Sequence, residues 1–400
     1  MARLTRANDS NVTADALRIL PRERPLSTCN GDARGSATVT TDGLRPFLGV
    51  SGQASAAQQE PDLFWALKGG GGGSFGVVTE LTLRTHDLPN YFGGVFGTVR
   101  AHSNDAYRRL TAQLIGVYRE RLFNPHWGEQ VRFGSGNLVD IQMVFQGLTR
   151  EEAEARWLPF REWVANAPSD FTWQAPLTIA AIPARRFWDP AFLRQNLPQL
   201  IAVDERPDAP ASNILWAGDH EQAGQFLHGY RSTWLSASLL DTAHQAALVD
   251  ALFKSSRHWK VSLHFNKGLA AAPSDALAAA RDTAMNPAVI DAFALVIIAG
   301  GGPIAFPGVP GHEPDLDVAR QNARAIDRAM DAVSAIAAKP GSYVSESNFF
   351  EPAWQQAFWG PNYARLAGVK RRYDPEGLFF VHHGVGSERW SADGFTRRGS

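Results

Sequence analysis

Residues 62–83 read Asp-Leu-Phe-Trp-Ala-Leu-Lys-Gly-Gly-Gly-Gly-Gly-Ser-Phe-Gly-Val-Val-Thr-Glu-Leu-Thr-Leu, and this stretch restricts the fold more than any other. Glycines 69–73 carry no Cβ, so the backbone there can adopt positive φ angles and a ligand can approach it closely. The preceding residues 62–68 are predicted to form a helix, and residues 77–83 are predicted to form a strand. A glycine turn in this setting can hold a phosphate or a flat ring edge on its N–H groups.

The sequence around the glycines disfavours the two commonest nucleotide-binding loops. A P-loop ends in Gly-Lys-Ser or Gly-Lys-Thr, and a dinucleotide loop of the Rossmann kind follows a strand and opens a helix. Here no Gly-Lys pair follows the glycines, and the predicted order is helix, glycines and then strand. Two interpretations remain open for residues 69–73: a cofactor-binding loop, or a flexible hinge with no binding role.

The whole stretch resembles the end of the FAD-binding domain of the berberine-bridge-enzyme-like flavoprotein oxidases, in the vanillyl-alcohol-oxidase or PCMH superfamily. In that family a segment similar to Asp-Leu-Phe-Trp-Ala-Leu-(Arg/Lys)-Gly-Gly-Gly-Gly-Asn-Phe-Gly-Ile-Val-Thr lies against the flavin. Ser74 stands where Asn is commoner, a small polar exchange that keeps the ability to form hydrogen bonds. The resemblance implies cofactor contacts from Gly71, Gly72, Gly73, Ser74, Phe75, Gly76 and Val78.

Length and composition indicate a large globular chain that binds small molecules. With 400 residues, two domains or one large domain are expected, and 12 Trp with 23 Phe favour an aromatic interior or pocket, most of them as core residues. A formal net charge of −1 gives no long-range attraction for nucleic acid or an anionic membrane. We therefore expect neither nucleic acid nor a membrane as partner, and the resemblance implies a small-molecule substrate and O₂. The sequence does not predict the oligomeric state.

The ends and the single cysteine indicate the compartment. Residues 1–20 contain several charges and lack the apolar stretch of a signal peptide, and no window approaches the roughly 18 apolar residues of a membrane span. We expect a cytoplasmic protein, with secretion possible only if further residues precede Met1. Cys29 is the one cysteine, so no internal disulfide is possible, and its surroundings do not match the family's flavin-linking cysteine. Histidines and acidic residues are too sparse to predict a metal site.

The fold class predicted from these patterns and the resemblance is α+β: the C-terminal portion of a PCMH-type FAD-binding domain plus a substrate domain with a large antiparallel sheet covered by helices. We predict a partial FAD-binding domain over 1–89, a substrate-binding domain over 90–340 and a C-terminal segment over 341–400 that returns to the FAD domain. Strands are predicted at 91–99, 137–145, 259–265 and 293–299, and helices at 103–121, 150–164, 274–285 and 315–337.

Tyr343 is the first catalytic candidate. Tyr343, Ser345 and Ser347 alternate, and on a strand all three side chains would point to one side. The family carries a Tyr-x-Asn strand motif beside the flavin, in which the Tyr often acts as base or hydrogen-bond partner of the substrate alcohol. Ser345 stands where Asn is commoner in that motif. The alternative is that Tyr343 is a structural aromatic residue with a capped hydroxyl.

The C-terminal segment also resembles the family, through Phe-Trp-Gly-Pro-Asn-Tyr at 358–363 and Tyr-Asp-Pro-Glu-Gly-Leu-Phe at 373–379. Asn362 matches an Asn that reaches the flavin or its anchor, and Pro375 is predicted to end a helix. The neighbouring His382 and His383 follow a predicted strand and are expected to face opposite sides. Substrate contacts are expected from His264, Ser345 and Trp359.

One part of the family pattern is missing. Members hold FAD with an earlier Arg-x-x-Gly-Gly-His-Ser loop, and Gly-Gly-His-Ser occurs nowhere in this chain. We therefore expect weakened FAD binding without covalent attachment. The favoured function is an FAD-dependent oxidase that moves a hydride from an alcohol or amine carbon to flavin, which O₂ reoxidises. The alternatives are a truncated or decayed homologue without stable flavin, acting at most as a small-molecule-binding protein, and an unrelated flavin-free binding protein with an aromatic pocket.

Overall fold

The computed structural model describes residues 4–6, 12–14, 38–39, 60–78, 81–82, 86–219, 224–338 and 341–398. Its helices are α1 (Pro61–Leu67), α2 (Asn104–Val117), α3 (Arg150–Ala165), α4 (Pro190–Asn196), α5 (Thr242–Ser256), α6 (Ser274–Arg281), α7 (Ala288–Asp291), α8 (Leu316–Ser334), α9 (Trp354–Trp359) and α10 (Tyr363–Tyr373). Its strands are β1 (Leu4–Arg6), β2 (Val12–Ala14), β3 (Thr38–Val39), β4 (Leu81–Thr82), β5 (Tyr91–Ala101), β6 (Trp127–Gly134), β7 (Leu138–Gln146), β8 (Phe171–Pro183), β9 (Ile201–Val203), β10 (Ile214–Trp216), β11 (Gln225–Ser236), β12 (Val261–His264) and β13 (Ala292–Ile304). Cys29, Thr79 and Leu83, about which predictions were made, lie outside the described residues.

The chain divides into two compact units. The first comprises Met1–Asp87, Ala278–Asn286 and Pro352–Ser400, and the second comprises Leu88–Leu277 and Pro287–Glu351. The predicted division placed its breaks at residues 89 and 340 and did not include the short piece 278–286 in the first unit. The chain leaves the second unit within α6 and returns to it just before α7.

The second unit is built on a sheet of seven described strands in the order β11-β13-β12-β6-β7-β5-β8. Every neighbouring pair is antiparallel. The large antiparallel sheet predicted from the sequence is confirmed, as are strands at 91–99, 137–145, 259–265 and 293–299 to within a few residues. Two further short strands, β9 and β10, pair outside this sheet.

Helices cover one face of the sheet. Residues Leu110 of α2, Trp157 of α3, Leu252 of α5 and Met330 of α8 are fully buried and belong to one hydrophobic cluster with the strand residues that point the same way. Aromatic side chains such as Phe133 and Phe160 are fully buried, but others such as Trp188 and Phe350 are exposed, so the core accounts for only part of the aromatic content. Burial of each such side chain contributes about 1.5–3 kcal/mol to folding.

The opposite face of the same sheet is polar. Thr98 donates a hydrogen bond to Asp140 (3.1 Å), Gln142 also donates to Asp140 (2.9 Å), and Ser262 donates to Gln130 (2.8 Å). These residues alternate along their strands with buried ones such as Val139 and Ile141, as the two-residue period of a strand requires. The sheet thus offers one dry face to the helices and one hydrogen-bonding face.

The first unit is organised around the glycine stretch. Helix α1 confirms the helix predicted at 62–68, and it buries Leu63 and Ala66. The strand predicted from residue 77 is wrong at its start, because Val77 and Val78 form no ladder hydrogen bonds and are exposed, whereas Leu81–Thr82 is a strand. Strand β4 lies between β2 and β3 in a sheet with the order β1-β2-β4-β3.

Candidate functional site

The glycine run of the first unit is a tight loop with an open tip. Gly69, Gly71 and Gly73 have φ angles of 115°, 87° and 72°, which side-chain-bearing residues rarely adopt. A Cβ on Gly70 would lie 2.4 Å from the carbonyl oxygen of Ala66, whereas one on Gly72 would meet nothing within 4 Å. Glycine is therefore required by the fold at one end of the loop, and at the tip it leaves the backbone exposed.

Three side chains and one backbone group hold this loop in place. The indole N–H of Trp359 donates to the carbonyl oxygen of Gly69 (2.9 Å), and the N–H of Ala284 donates to that of Lys68 (2.9 Å). The ammonium of Lys370 donates to the carbonyl oxygen of Ser74 (2.5 Å). Asn362 donates to Met285 (2.8 Å), next to the point where Met285 packs against Gly69. A loop held at both ends is no flexible hinge.

Lys370 is the central brace. Its ammonium also donates to Asp374 (2.6 Å) and to the carbonyl oxygen of Phe379 (2.6 Å), and the side chains of Lys370 and Asp374 are only 8% and 6% exposed. Asp374 in turn accepts from the N–H groups of Leu378 and Phe379 (2.9 and 3.0 Å). Burial lowers the pKa of Lys370, and the neighbouring Asp374 opposes that shift. The pair ties the end of α10 to the glycine loop.

An aromatic stack lies beside the same loop. The rings of Trp354 and His383 stack at 5.3 Å and 12°, and those of His382 and His383 at 3.9 Å and 28°. The prediction that the two histidines face opposite sides of a strand is wrong, because His383 has a φ angle of 56° in a turn. Burial, and then His382, lower the pKa of His383.

Two buried polar atoms flank Gly384 next to the tip of the loop. The hydroxyl of Ser74 and Nδ1 of His383 have no hydrogen-bond partner within the ranges that the structure describes. A Cβ on Gly384 would lie 3.1 Å from the Ser74 hydroxyl, and one on Gly73 would lie 3.0 Å from Val381. A polar group without a partner in such a place is a candidate ligand contact.

The second unit carries a polar cleft of about 510 Å³ on the hydrogen-bonding face of its sheet. Glu129, Tyr230, His264, Lys267 and Glu346 line it together with other polar residues. The hydroxyl of Tyr230 donates to Glu346 (2.8 Å), and the ammonium of Lys267 lies 3.7 Å from the same carboxylate. Burial, followed by the hydrogen bond to Glu346, raises the pKa of Tyr230.

Tyr343 lies in a turn beside this cleft, so the predicted strand at 343–347 is wrong. Its N–H donates to the hydroxyl of Ser232 (3.0 Å), and its carbonyl oxygen accepts from the N–H of Glu346 (3.2 Å), which closes a turn instead of pairing with a strand. The ammonium of Lys267 lies 4.4 Å from the centre of the Tyr343 ring, and Trp234 packs edge-on at 6.4 Å. The ring of Tyr343 therefore contacts Lys267 of the polar cleft, although the strand alternation that suggested this residue is absent.

An aromatic cleft of about 360 Å³ adjoins the polar one. Phe92, Phe187 and Trp188 pack edge-to-face in pairs at 5.2–5.7 Å along its wall. Asn266 lines this aromatic cleft and donates to Glu129 (2.8 Å), which lines the polar cleft. The two clefts therefore meet at Asn266.

The predicted site residues fall into two groups. Gly71, Gly72, Gly73, Ser74, Phe75, Gly76, Val78, Trp359 and Asn362 belong to the first unit, and His264, Tyr343 and Ser345 belong to the second. His264 and Tyr343 lie in or beside the polar cleft, while Ser345 is exposed in the turn that follows. Cofactor and substrate contacts by these residues remain predictions.

Three of the predicted contact residues have structural roles that the sequence did not indicate. Trp359 is fully buried and its indole N–H donates to Gly69, while its role as a substrate contact stays a prediction. Phe75 is 2% exposed, and its ring lies close to Gly70, as does Leu366. The amide of Asn362 is engaged with Met285.

The Lys370–Asp374 pair and several residues of the polar cleft were not identified from the sequence. Lys370 and Asp374 were detectable as an oppositely charged pair at i and i+4 before Pro375, on a helix that is otherwise amphipathic. Glu129, Tyr230, Lys267 and Glu346 come from four separate segments, and no local pattern in the sequence brings them together.

Comparisons with known proteins agree with this geometry. Residues 342–386 match the family described as berberine and berberine like. An uncharacterized FAD-linked oxidoreductase of Arthroderma benhamiae is 28% identical over 355 residues, which cover 85% of this chain and 53% of that protein. The VAO-type flavoprotein oxidase VAO615 of Thermothelomyces thermophilus is 26% identical over 345 residues, covering 84% and 52%. The chain is thus similar to proteins named FAD-linked oxidoreductases, and its residues 342–386 match the berberine-like family.

The fold leads to the same relatives. The VAO-type flavoprotein MtVAO615 from Myceliophthora thermophila aligns with a TM-score of 0.61 and 22% identity, over 88% of this chain and 56% of that one. The carbohydrate oxidase from Microdochium nivale aligns with a TM-score of 0.55 and 17% identity, over 88% and 66%. The chain spans about half the length of the curated relatives it matches.

Neither a metal-binding cluster nor a membrane-spanning helix is found among the described residues. Among the residues that the structure describes, no cluster of three or more histidine, cysteine or acidic side chains could hold a metal ion. Within the same ranges, no helix combines the length and the apolar character needed to span a membrane.

Proposed function

We propose that the chain is an FAD-dependent oxidase, in which a hydride leaves an alcohol or amine carbon of a small organic substrate and O₂ receives the electrons. The observation that carries this proposal is the braced glycine loop with its exposed tip, in a chain similar over 85% of its length to FAD-linked oxidoreductases. When bound, the flavin supplies the hydride acceptor, a chemistry that side chains alone lack.

The residues of the first unit fit one edge of a flavin. The tip at Gly72 and Gly73 presents exposed backbone without a Cβ on the open side, which suits close approach of a flat ring or a phosphate. The hydroxyl of Ser74 has no partner among the described residues and can donate or accept a hydrogen bond. We assign the cofactor contacts to Gly71, Gly72, Gly73 and Ser74, without covalent attachment.

Tyr343 is the proposed proton acceptor. Loss of a hydride from an alcohol or amine carbon requires that the hydroxyl or amine give up its proton, and a tyrosine can take or relay it. The ammonium of Lys267, 4.4 Å from the ring centre, attracts the negative charge that develops on the phenol oxygen. Glu346 and Tyr230, hydrogen-bonded to each other, form a second polar pair near the same cation.

Polar and aromatic walls together favour a ring-shaped substrate that carries hydroxyl groups. The polar cleft offers carboxylate, imidazole and ammonium groups, and the adjoining aromatic cleft offers Phe92 and Trp188 as flat surfaces. Several similar structures are those of carbohydrate, chitooligosaccharide or xylooligosaccharide oxidases. Sugars are therefore the first class to test, ahead of alkaloid-like rings and polyketides.

Rapid mixing of flavin-loaded protein with substrate, without O₂, tests the role of Tyr343. Wild-type and Tyr343→Phe proteins are mixed with a panel of mono- and oligosaccharides, and bleaching of the flavin absorption is followed. We expect the substitution to slow flavin reduction about 100-fold or more, because general base catalysis contributes about 10²–10⁴-fold.

Tyr107→Phe is the matched control. Tyr107 is fully buried in the helix-covered core of the second unit, where burial raises its pKa to about 12, and it does not line the polar cleft. This variant should reduce flavin at the wild-type rate. Equal rates for wild type and Tyr343→Phe would remove Tyr343 from the mechanism, and a folded protein that takes up no flavin would favour a flavin-free binding protein.

A further inference from the structure

Glu129 occupies a position on β6 that its neighbours assign to the core. Trp127, Val131 and Phe133 lie two or four residues away and are all buried, so the two-residue period of the strand directs position 129 to the same side. Glu129 has a φ angle of 56°, however, which a non-glycine residue adopts only at a cost. The register of β6 with β7 continues without a shift through this residue.

With this backbone conformation, the carboxylate of Glu129 lies on the polar face of the sheet. Glu129 lines the polar cleft instead of the core, and one carboxylate oxygen, Oε1, accepts from the amide of Asn266 (2.8 Å). The second oxygen, Oε2, lies 3.6 Å from Nδ1 of His264. A strained residue that persists beside a cleft is a recognised mark of a functional site.

The charge of Glu129 determines which tautomer of the His264 imidazole is favoured. The neighbouring His264, ahead of the effects of Asn266 and Lys267, lowers the pKa of Glu129, so its carboxylate is charged at neutral pH. Nδ1 of His264 is buried and has no partner at hydrogen-bond distance among the described residues, and the Glu129 carboxylate lies 3.6 Å from it. A carboxylate in front of Nδ1 favours the tautomer that carries its proton there, and that tautomer leaves Nε2 as a hydrogen-bond acceptor.

We infer that Glu129 is a positioning residue that fixes the tautomer of His264, so that Nε2 of His264 accepts a hydrogen bond from a hydroxyl or amine N–H of the substrate. The pair thereby selects substrates with a donor group at this point and disfavours their ether, keto or halogen analogues. The inference rests on the proposed function for the reaction that follows, whereas the tautomer itself is independent of flavin.

Nitrogen-15 NMR of histidine-labelled protein tests the tautomer directly. The signals of His264 are assigned by their loss in His264→Asn, and wild type is compared with Glu129→Gln at a pH where the ring is neutral. We expect the proton on Nδ1 in wild type and a shift toward Nε2 protonation in Glu129→Gln. An Nε2-protonated ring in wild type, or the same tautomer in both proteins, would overturn the inference.

Glycine substitution separates positioning from a structural role. Glu129→Gly removes the carboxylate and also the backbone strain, because glycine adopts a φ angle of 56° freely. Asp208→Gly is the control, since Asp208 has a φ angle of 64° on an exposed loop. We expect both variants to unfold at the same or a higher denaturant concentration than wild type. Marked destabilisation by Glu129→Gly alone would mean that the fold requires the carboxylate, and the inference would fail.

A kinetic comparison distinguishes this inference from the proposed function. In a flavin-loaded protein that turns over, Glu129→Gln should raise KM roughly tenfold with a smaller effect on kcat, as expected for loss of a substrate hydrogen bond. An unchanged KM would contradict the role of His264. If no substrate reduces the flavin while the NMR shift is present, the proposed function fails and the Glu129–His264 arrangement stands.

Discussion

At the scale of single residues, Lys370 and Asp374 show most clearly how this sequence holds its candidate site. Two opposite charges that are almost completely buried are tolerated because every polar atom has a partner: Lys370 donates to Ser74, Phe379 and Asp374, and Asp374 accepts from two N–H groups. The ion pair fixes the carbonyl oxygen at the end of the glycine loop. Its function is to position the loop.

Replacement of Lys370 by Met should therefore destabilise the first unit strongly. The substitution leaves the Asp374 carboxylate buried without its counter-charge and removes the donor to Ser74 and Phe379. We expect a loss of about 3–5 kcal/mol in the free energy of unfolding, the range for breaking one side of a buried pair. Denaturant unfolding followed by tryptophan fluorescence measures it.

Lys68→Met is the control in the same unit. Lys68 pairs with Asp282 at 3.1 Å, but the Asp282 side chain is 79% exposed, so the pair is well solvated. Its loss should cost no more than about 1 kcal/mol. Similar losses in the two variants would show that the Lys370 pair contributes no more than a surface ion pair.

Predictions for single residues succeeded where a motif reflected local geometry and failed where the role depended on the tertiary environment. The glycines at 69–73 were identified as a special turn because only their conformation mattered. The burial of Trp359 against Gly69 was not indicated by its position in a motif. The stack of His382 on His383 depends on the φ angle of one residue, which no sequence period encodes.

At the scale of elements, the glycine loop combines a rigid base with an open tip. Gly70→Ala should destabilise the protein by about 1–3 kcal/mol, because the new Cβ would lie 2.4 Å from the Ala66 carbonyl oxygen and 2.8 Å from the Phe75 ring. Gly72→Ala, with open space around it, should change stability by less than about 0.5 kcal/mol. Thermal unfolding of both variants measures the contrast.

Flavin binding gives the same two variants a second readout. Gly72→Ala should fold normally and bind FAD more weakly, because its methyl group occupies the exposed side of the tip. Full FAD affinity in Gly72→Ala would place the flavin away from the tip. Equal stability of the two variants would mean that the loop base is not closely packed.

Helices and strands were predictable where apolar residues recur with the period of the element and a capping residue marks its end. The helix predicted at 315–337 is α8 (Leu316–Ser334), with Asp315 as its N-cap, because a long apolar stripe and a capping residue are local signals. The strands predicted at 77–83 and 343–347 failed, in full or in part, because alternation alone does not supply a partner strand. Tyr343 finds the Ser232 hydroxyl for its N–H instead.

At the scale of the whole molecule, the resemblance predicted more than the periodicity did. The α+β class and the large antiparallel sheet are confirmed by the seven-strand order and by the similarity to VAO-type flavoproteins. The interruption of the second unit by residues 278–286 was not predictable, because that segment forms part of a helix pattern that continues across the break. The polar cleft was also not predictable from the sequence, because its residues come from segments that are distant along the chain.

The most direct test of the account is equilibrium dialysis of the folded chain against FAD, read by visible absorption on the two sides of the membrane. We predict an excess of flavin on the protein side that saturates with FAD concentration, because the exposed tip and Ser74 offer backbone and hydroxyl contacts. Circular dichroism confirms that the same sample is folded. A folded chain with equal flavin on both sides at every FAD concentration would contradict the account.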